Sequence, residues 1–133
     1  MTIKAQVIDL EGSRARLEDA MEEIQYPFKS LHYSILHLAI VFECVDERGH
    51  IAGWLWFYST ENEEHIWTIH AIVLPNYRKR FFSRSLVNTV SGVLYALGCE
   101  IVRGENENQE LLYHFGATKT EDGVDLQLPF FWS

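Results

Sequence analysis

The chain has 133 residues, enough for one domain and too few for two. Hydrophobic residues make up 47% and charged residues 23%, which excludes wholesale disorder and allows a packed core. A net charge of −8 argues against general nucleic-acid binding, which needs clustered cations to neutralise phosphates.

The elements follow in chain order. Ile3–Asp9 alternates apolar and polar residues and reads as a first strand. Ser13 is an N-cap for a helix carrying Leu17, Ala20, Met21 and Ile24, which Pro27 ends. Phe28–Ile35 reads equally as a short helix or a loop. Leu36–Val45 is a strand rich in Leu, Ile, Val and Phe, joined through the loop 46–50 to Ile51–Ser59. Thr60–Glu64 makes the next turn, and His65–Leu74 is a further strand stopped by Pro75. Short connections make these three strands an antiparallel meander.

Beyond Pro75 the period changes. Phe82, Leu86, Val90, Val93 and Leu97 form the apolar stripe of a helix capped by Gly98. Cys99–Arg103 is a short strand, expected to lie parallel to His65–Leu74 through a right-handed crossover. Asn106–Phe115 is a second amphipathic helix, with Leu111, Leu112 and Phe115 inward and Gly116 as its cap. Ala117–Thr120 and Val124–Phe131 form a closing hairpin. The prediction is one α/β (α+β) domain over 1–133, a mixed sheet with helices on both faces.

Local charge opposes global charge at one place. Arg78, Lys79, Arg80 and Arg84 put four of the eleven Lys and Arg residues within seven positions. They sit where a strand runs through a turn into a helix, whose first-turn N–H groups favour phosphate or pyrophosphate. Here Val73-Leu74-Pro75 followed by Arg78-Lys79-Arg80-Phe81-Phe82-Ser83 resembles the GCN5-related N-acetyltransferase (GNAT) superfamily. That family ends a strand in Val-x-Pro and opens a long helix through Arg/Gln-x-x-Gly-x-Gly/Ala. The element order matches over nearly the full length, and the helix ending in Gly116-Ala117 is similar to the family's later one.

The resemblance implies a GNAT-like, mostly antiparallel sheet of six to seven strands and a transferase passing acetyl from acetyl-coenzyme A to an amine. It places pantetheine along Ile72 and Val73, and pyrophosphate on Arg78, Lys79, Arg80, Phe81, Phe82 and Ser83. A strand N–H would polarise the thioester carbonyl. It suggests His70 as base and Tyr113 as acid, with Asn106 at the cofactor. Phe81 and Ser83 stand where the family has glycine or a small residue, and the family's tyrosine falls at Leu112, one place before Tyr113. An open sheet at a bulge around Ile72–Val73, beside an unobstructed turn, would mark an enzyme. A Phe81 ring lying over the turn would mark a catalytically silent binder, similar to short glycine-poor tailed-phage members of the fold, including virion components.

The plainer readings stand beside these. The basic turn serves equally as a solvated loop, His70 as a sheet histidine, Tyr113 as a packed ring, and Asn106 or Asn108 as a helix cap. Glu64 and His65 are weaker candidates at the far end of the strand. His32 with His37, and His65 with His70, are five apart, which on a strand places them on opposite faces, so no metal is expected. Cys44 and Cys99 show no disulfide framework and read as buried fillers in a reducing, cytoplasmic compartment; the alternative is a phage particle. No apolar run is of signal-peptide or membrane-spanning length. Trp54, Trp56 and Tyr58 share one strand face. Phe130-Phe131-Trp132 must tuck into the domain or dock on another chain, a second copy included.

Overall fold

The computed structural model describes residues 3–7, 40–60, 63–105 and 108–132. These form a seven-stranded mixed sheet: β1 (Lys4–Val7), β2 (Ile40–Val45), β3 (Ile51–Thr60), β4 (Glu63–Val73), β5 (Ile101–Gly104), β6 (Thr118–Thr120) and β7 (Gly123–Gln127). Their spatial order is β1-β2-β3-β4-β5-β7-β6. Every pairing is antiparallel except β4 with β5. Two helices are described, α1 (Arg84–Ala96) between β4 and β5, and α2 (Asn108–Tyr113) between β5 and β6. The helix expected after Ser13, the segment Phe28–Ile35 and residues 36–39 of the expected second strand lie outside the described residues.

Alternation along β3 and β4 divides the core. Leu55, Phe57 and Ile69 face one side, where they join Phe42 of β2, Leu86, Val90 and Leu94 of α1 and Leu112 of α2 in one apolar cluster. Trp54, Trp56 and Ile72 point to the opposite side and are also 1% exposed or less. The tryptophan stripe is therefore buried. Burial explains both cysteines too: it pushes the Cys44 thiol up to about 12 and Cys99 to about 11, so both remain neutral, apolar-like fillers.

Several boundaries differ from expectation for visible reasons. The β3–β4 ladder extends beyond the expected turn, with Thr60 opposite Glu63, after a shift in register at Ser59. Helix α1 starts two residues after Phe82, because Ser83 is extended and its hydroxyl accepts from Leu86 N–H at 3.2 Å. Its buried stripe is Leu86, Val90 and Leu94, whereas Leu97 is 55% exposed. The helix stops at Ala96, and Gly98 turns away with φ +100°. The last strand ends at Gln127, not Phe131. A cis Leu128–Pro129 bond follows, and the chain then leaves the sheet for α1.

That departing segment tucks in. Ser91 Oγ donates to the Phe130 carbonyl at 2.9 Å and accepts from Phe130 N–H at 3.2 Å. Asn88 donates to the Trp132 carbonyl and accepts from Trp132 N–H at 2.7 Å. Phe130 and Trp132 pack edge-on against Phe115, beside Phe82. Phe131, between them, is 80% exposed.

Close approach rests on Gly53. A Cβ there would overlap the Ile72 carbonyl and sit 3.0 Å from the ring of Phe81. Gly53→Ala is therefore expected to destabilise the fold by about 2 kcal/mol, read as a lowered urea midpoint at unchanged slope.

Candidate functional site

The turn after β4 is built from its two ends. Leu74 N–H pairs with the Ala52 carbonyl, which anchors the strand end to β3. Pro75–Tyr77 then makes one 3-10 turn, closed by Tyr77 N–H on the Leu74 carbonyl. Arg80 N–H bonds to the Tyr77 carbonyl. Arg78 N–H closes the second bond of the 3-10 turn, and Phe81 N–H closes the turn over 78–80. Beyond these, the amides of Lys79, Phe82 and Ser83 have no acceptor among the described residues. Phe81 is 0% exposed: its ring goes into the core beside Gly53 and meets Phe82 edge-on at 4.9 Å. The ring thus does not lie over the turn. Arg78 and Lys79 are exposed. Arg80 folds back instead, reaching the Asn76 carbonyl at 3.3 Å and lying 5.9 Å from the Tyr77 ring. The Ser83 hydroxyl is engaged as the helix cap.

Beside this turn the sheet forks. The parallel ladder joins Ile66 to Ile101, Trp67 to Val102 and Thr68 to Arg103, and pairs nothing further along β4. The β3 side continues in register to Gly53 opposite Val73, so the bulge at Ile72–Val73 that would have marked an enzyme is absent. The opening comes from the parting of β4 and β5. Because Leu74 is hydrogen-bonded to Ala52, alternation turns the backbone groups of Ile72 and His70 toward β3. Those of Ile69, Ala71 and Val73 face the fork. Val73 and Ala71, not Ile72, thus present main-chain partners there.

Gly104 marks where α2 closes on the end of β5. A Cβ at Gly104 would come 2.7 Å from the Asn108 carbonyl and 3.0 Å from Leu112. Its absence lets α2 close directly over the end of β5. Asn108 is buried in this contact, and its N–H bonds to the Glu105 carbonyl. Asn106 lies outside the described residues. Leu112 faces the core, whereas Tyr113 is 45% exposed. One position on a helix turns a side chain by about 100°, and here that turn carries Tyr113 to the solvent side. No contact among the described residues joins Tyr113 to His70.

His70 lies on the second face, near the root of the fork. It is stacked between Trp56, at 5.5 Å and 16°, and Tyr58, at 5.4 Å and 10°. Its Nε2 is 3.3 Å from the Tyr58 hydroxyl. Tyr58 stands opposite Thr68, the last β4 residue paired with β5. Burial raises the Tyr58 phenol, and the Glu105 carboxylate raises it further, against a hydrogen bond with Thr68. Sequence reasoning missed Tyr58 as a neighbour of His70, and Thr68 and Glu105 as neighbours of Tyr58. The period-two stripe placed Tyr58 on its face, but only the β3–β4 register shows that it meets His70.

Two ion networks brace the surroundings. Tyr77 donates to Asp46 Oδ2 at 2.8 Å, while Arg48 and His50 N–H donate to Asp46 Oδ1, both at 2.9 Å. The Tyr77 hydroxyl is the main cause of a lowered Asp46 pKa. This ties the β2–β3 hairpin to the turn. On β5, buried Arg103 grips Asp125 through two bonds and reaches Glu63 at 3.0 Å, and these partners, Asp125 foremost, raise its pKa. Among the described residues no group of three or more His, Cys, Asp or Glu is placed to hold a metal. No described helix is long and apolar enough to cross a membrane.

No protein-family model and no curated protein matches this chain. Solved structures do. A GNAT-family acetyltransferase from Staphylococcus aureus Mu50 superposes with a TM-score of 0.63 at 12% identity, covering 95% of this chain and 96% of that one. A dodecameric spermidine N-acetyltransferase from Vibrio cholerae gives 0.65 at 12% identity, covering 94% and 90%. The fold is that of the GCN5-related N-acetyltransferases. At such identities the likeness is one of fold.

Two outcomes follow for the turn. Replacing Phe81 by Ala empties a core position and should cost roughly 3–5 kcal/mol in chemical denaturation. The Asp46 carboxylate has a folded pKa below its unfolded 3.8. Its stabilisation is complete above that value and lost as pH falls through the folded pKa. Tyr77→Phe should lower the thermal midpoint by a few degrees at neutral pH and flatten its fall on acidification, as read by circular dichroism.

Proposed function

We propose that the chain binds acetyl-coenzyme A at the β4–α1 turn and transfers its acetyl group to an amine. One observation carries this reading: Phe81 fills the core, not the turn, and the amides of Lys79, Phe82 and Ser83 have no acceptor among the described residues. Those amides lie at the start of a 13-residue helix with exposed Arg78 and Lys79 alongside, a setting that suits a diphosphate. The outward backbone groups of Ala71 and Val73 suit the amide-bearing pantetheine arm. When bound, acetyl-coenzyme A supplies the activated acyl group. The protein's part is to orient it, to offer a strand N–H to the carbonyl oxygen, and to accept a proton near His70.

The GNAT fold of the neighbours supports this reading, and the spermidine substrate of the Vibrio enzyme indicates an amine acceptor class. Its dodecameric assembly makes self-association through exposed Phe131, Tyr95 or Tyr113 a reasonable companion proposal.

Titration calorimetry with acetyl-coenzyme A tests the binding step. The expected result is saturable heat that weakens with added salt, and a roughly tenfold loss of affinity on combining Arg78→Gln with Lys79→Gln. Absence of heat at millimolar ligand would sink the transferase reading and leave the fold as a binding module.

A further inference from the structure

We propose that Tyr58 and His70 form a proton relay at the root of the fork, in which the Tyr58 hydroxyl, not the imidazole, takes the proton from the acceptor amine. The inference rests on the acetyltransferase reading and adds a residue to it.

Access decides the order of the relay. His70 is 9% exposed, and its ring faces are covered by Trp56 and Tyr58. An incoming amine cannot reach an imidazole sandwiched in this way. Tyr58 is only half-buried and lies at the rung where β4 and β5 part. Its hydroxyl stands 3.3 Å from His70 Nε2, within reach for handing a proton on. Among the described residues, nearby charged groups include Glu105, which acts on the Tyr58 phenol, and Arg103, one strand away and tied to Asp125, Glu63 and Asp122. Burial and Glu105 both disfavour a free phenolate. Tyr58 therefore passes its own proton to His70 as it receives another, and does not ionise in between.

The balance is simple. The amine nitrogen bonds to the acyl carbon and the carbon–sulfur bond breaks, leaving the electron pair on sulfur. The surplus proton on nitrogen moves to Tyr58 Oη, and the Tyr58 proton moves to His70 Nε2. The imidazolium later loses it to solvent, and the thiolate takes a proton from solvent.

The test is the pH dependence of thiol release from acetyl-coenzyme A, with spermidine and N-α-acetyl-lysine as probe amines. Wild type is compared with Tyr58→Phe, His70→Gln and the double variant. Each single change should lower kcat about 100-fold at unchanged KM for acetyl-coenzyme A. The double variant should lose nothing more, because the two groups act as one unit. In wild type the acid limb should follow the intact relay. In Tyr58→Phe it should move to the amine's own titration, which a merely structural tyrosine would not cause. Phenylalanine keeps the ring stack; 3-fluorotyrosine at position 58 serves as the second probe, and a shift of the limb is expected there too. A Tyr58→Phe protein with wild-type kcat and limb overturns the relay and leaves the transferase standing. A wild type that binds acetyl-coenzyme A but releases no thiol with either amine overturns transfer to such amines and the relay together.

Discussion

The constraint behind this molecule is that β4 pairs with β5, its second neighbour, at only three of its eleven residues. Over Ile66–Thr68 it is held by β3 and β5 together, and beyond Thr68 by β3 alone. A strand with one side unpaired needs other partners for its outward amides and carbonyls. Here the gap is held open from both sides. Gly104 lets α2 sit down on the end of β5, and Gly53 lets Phe81 sit down beside the end of β4. Neither contact tolerates a methyl group, so the fork is set by two absences of a side chain.

From that geometry the chemistry of the region follows. The turn that leaves β4 must carry Phe81 inward, and a chain that turns its side chain in directs other groups out. The cations on the turn then face solvent in an otherwise acidic protein, and the Asp46–Tyr77 tie fixes the turn to the neighbouring hairpin. On the second face, the register that pairs Trp56 with His70 and Tyr58 with Thr68 stacks three rings at the root of the fork. Rigid strands, and not loops, thus hold the groups proposed to move protons, which favours fixed distances over adaptability.

Much of this was legible in the amino-acid order. An apolar run placed β2, alternating rings lay on β3 and β4, and the change of period after Pro75 placed α1, because these patterns reflect burial directly. The parallel step into β5 followed from its helical connection. What escaped were features set by contacts between distant segments. The exposure of Leu97 depends on where Gly98 turns, and the early end of β7 depends on Ser91 and Asn88 drawing the chain away. The opening was weighed only as a bulge, yet it arises from strand separation, which no single-strand pattern encodes. Phe81 could be weighed from sequence but not oriented, since its direction is decided by a glycine 28 positions earlier. Tyr58 was seen only as one ring in a stripe, for the same reason.

The Asn88 and Ser91 bonds to the segment after β7 have a geometric consequence. Three residues of α-helix advance about 4.5 Å, whereas two residues of extended chain advance about 6.6 Å. Helix side chains spaced in threes can therefore match alternate residues of a passing strand only briefly before the two rulers drift apart. The clasp is self-limiting: it holds two rungs firmly and offers no template on which further extended chain could add, unlike an open sheet edge, where each new rung repeats the last.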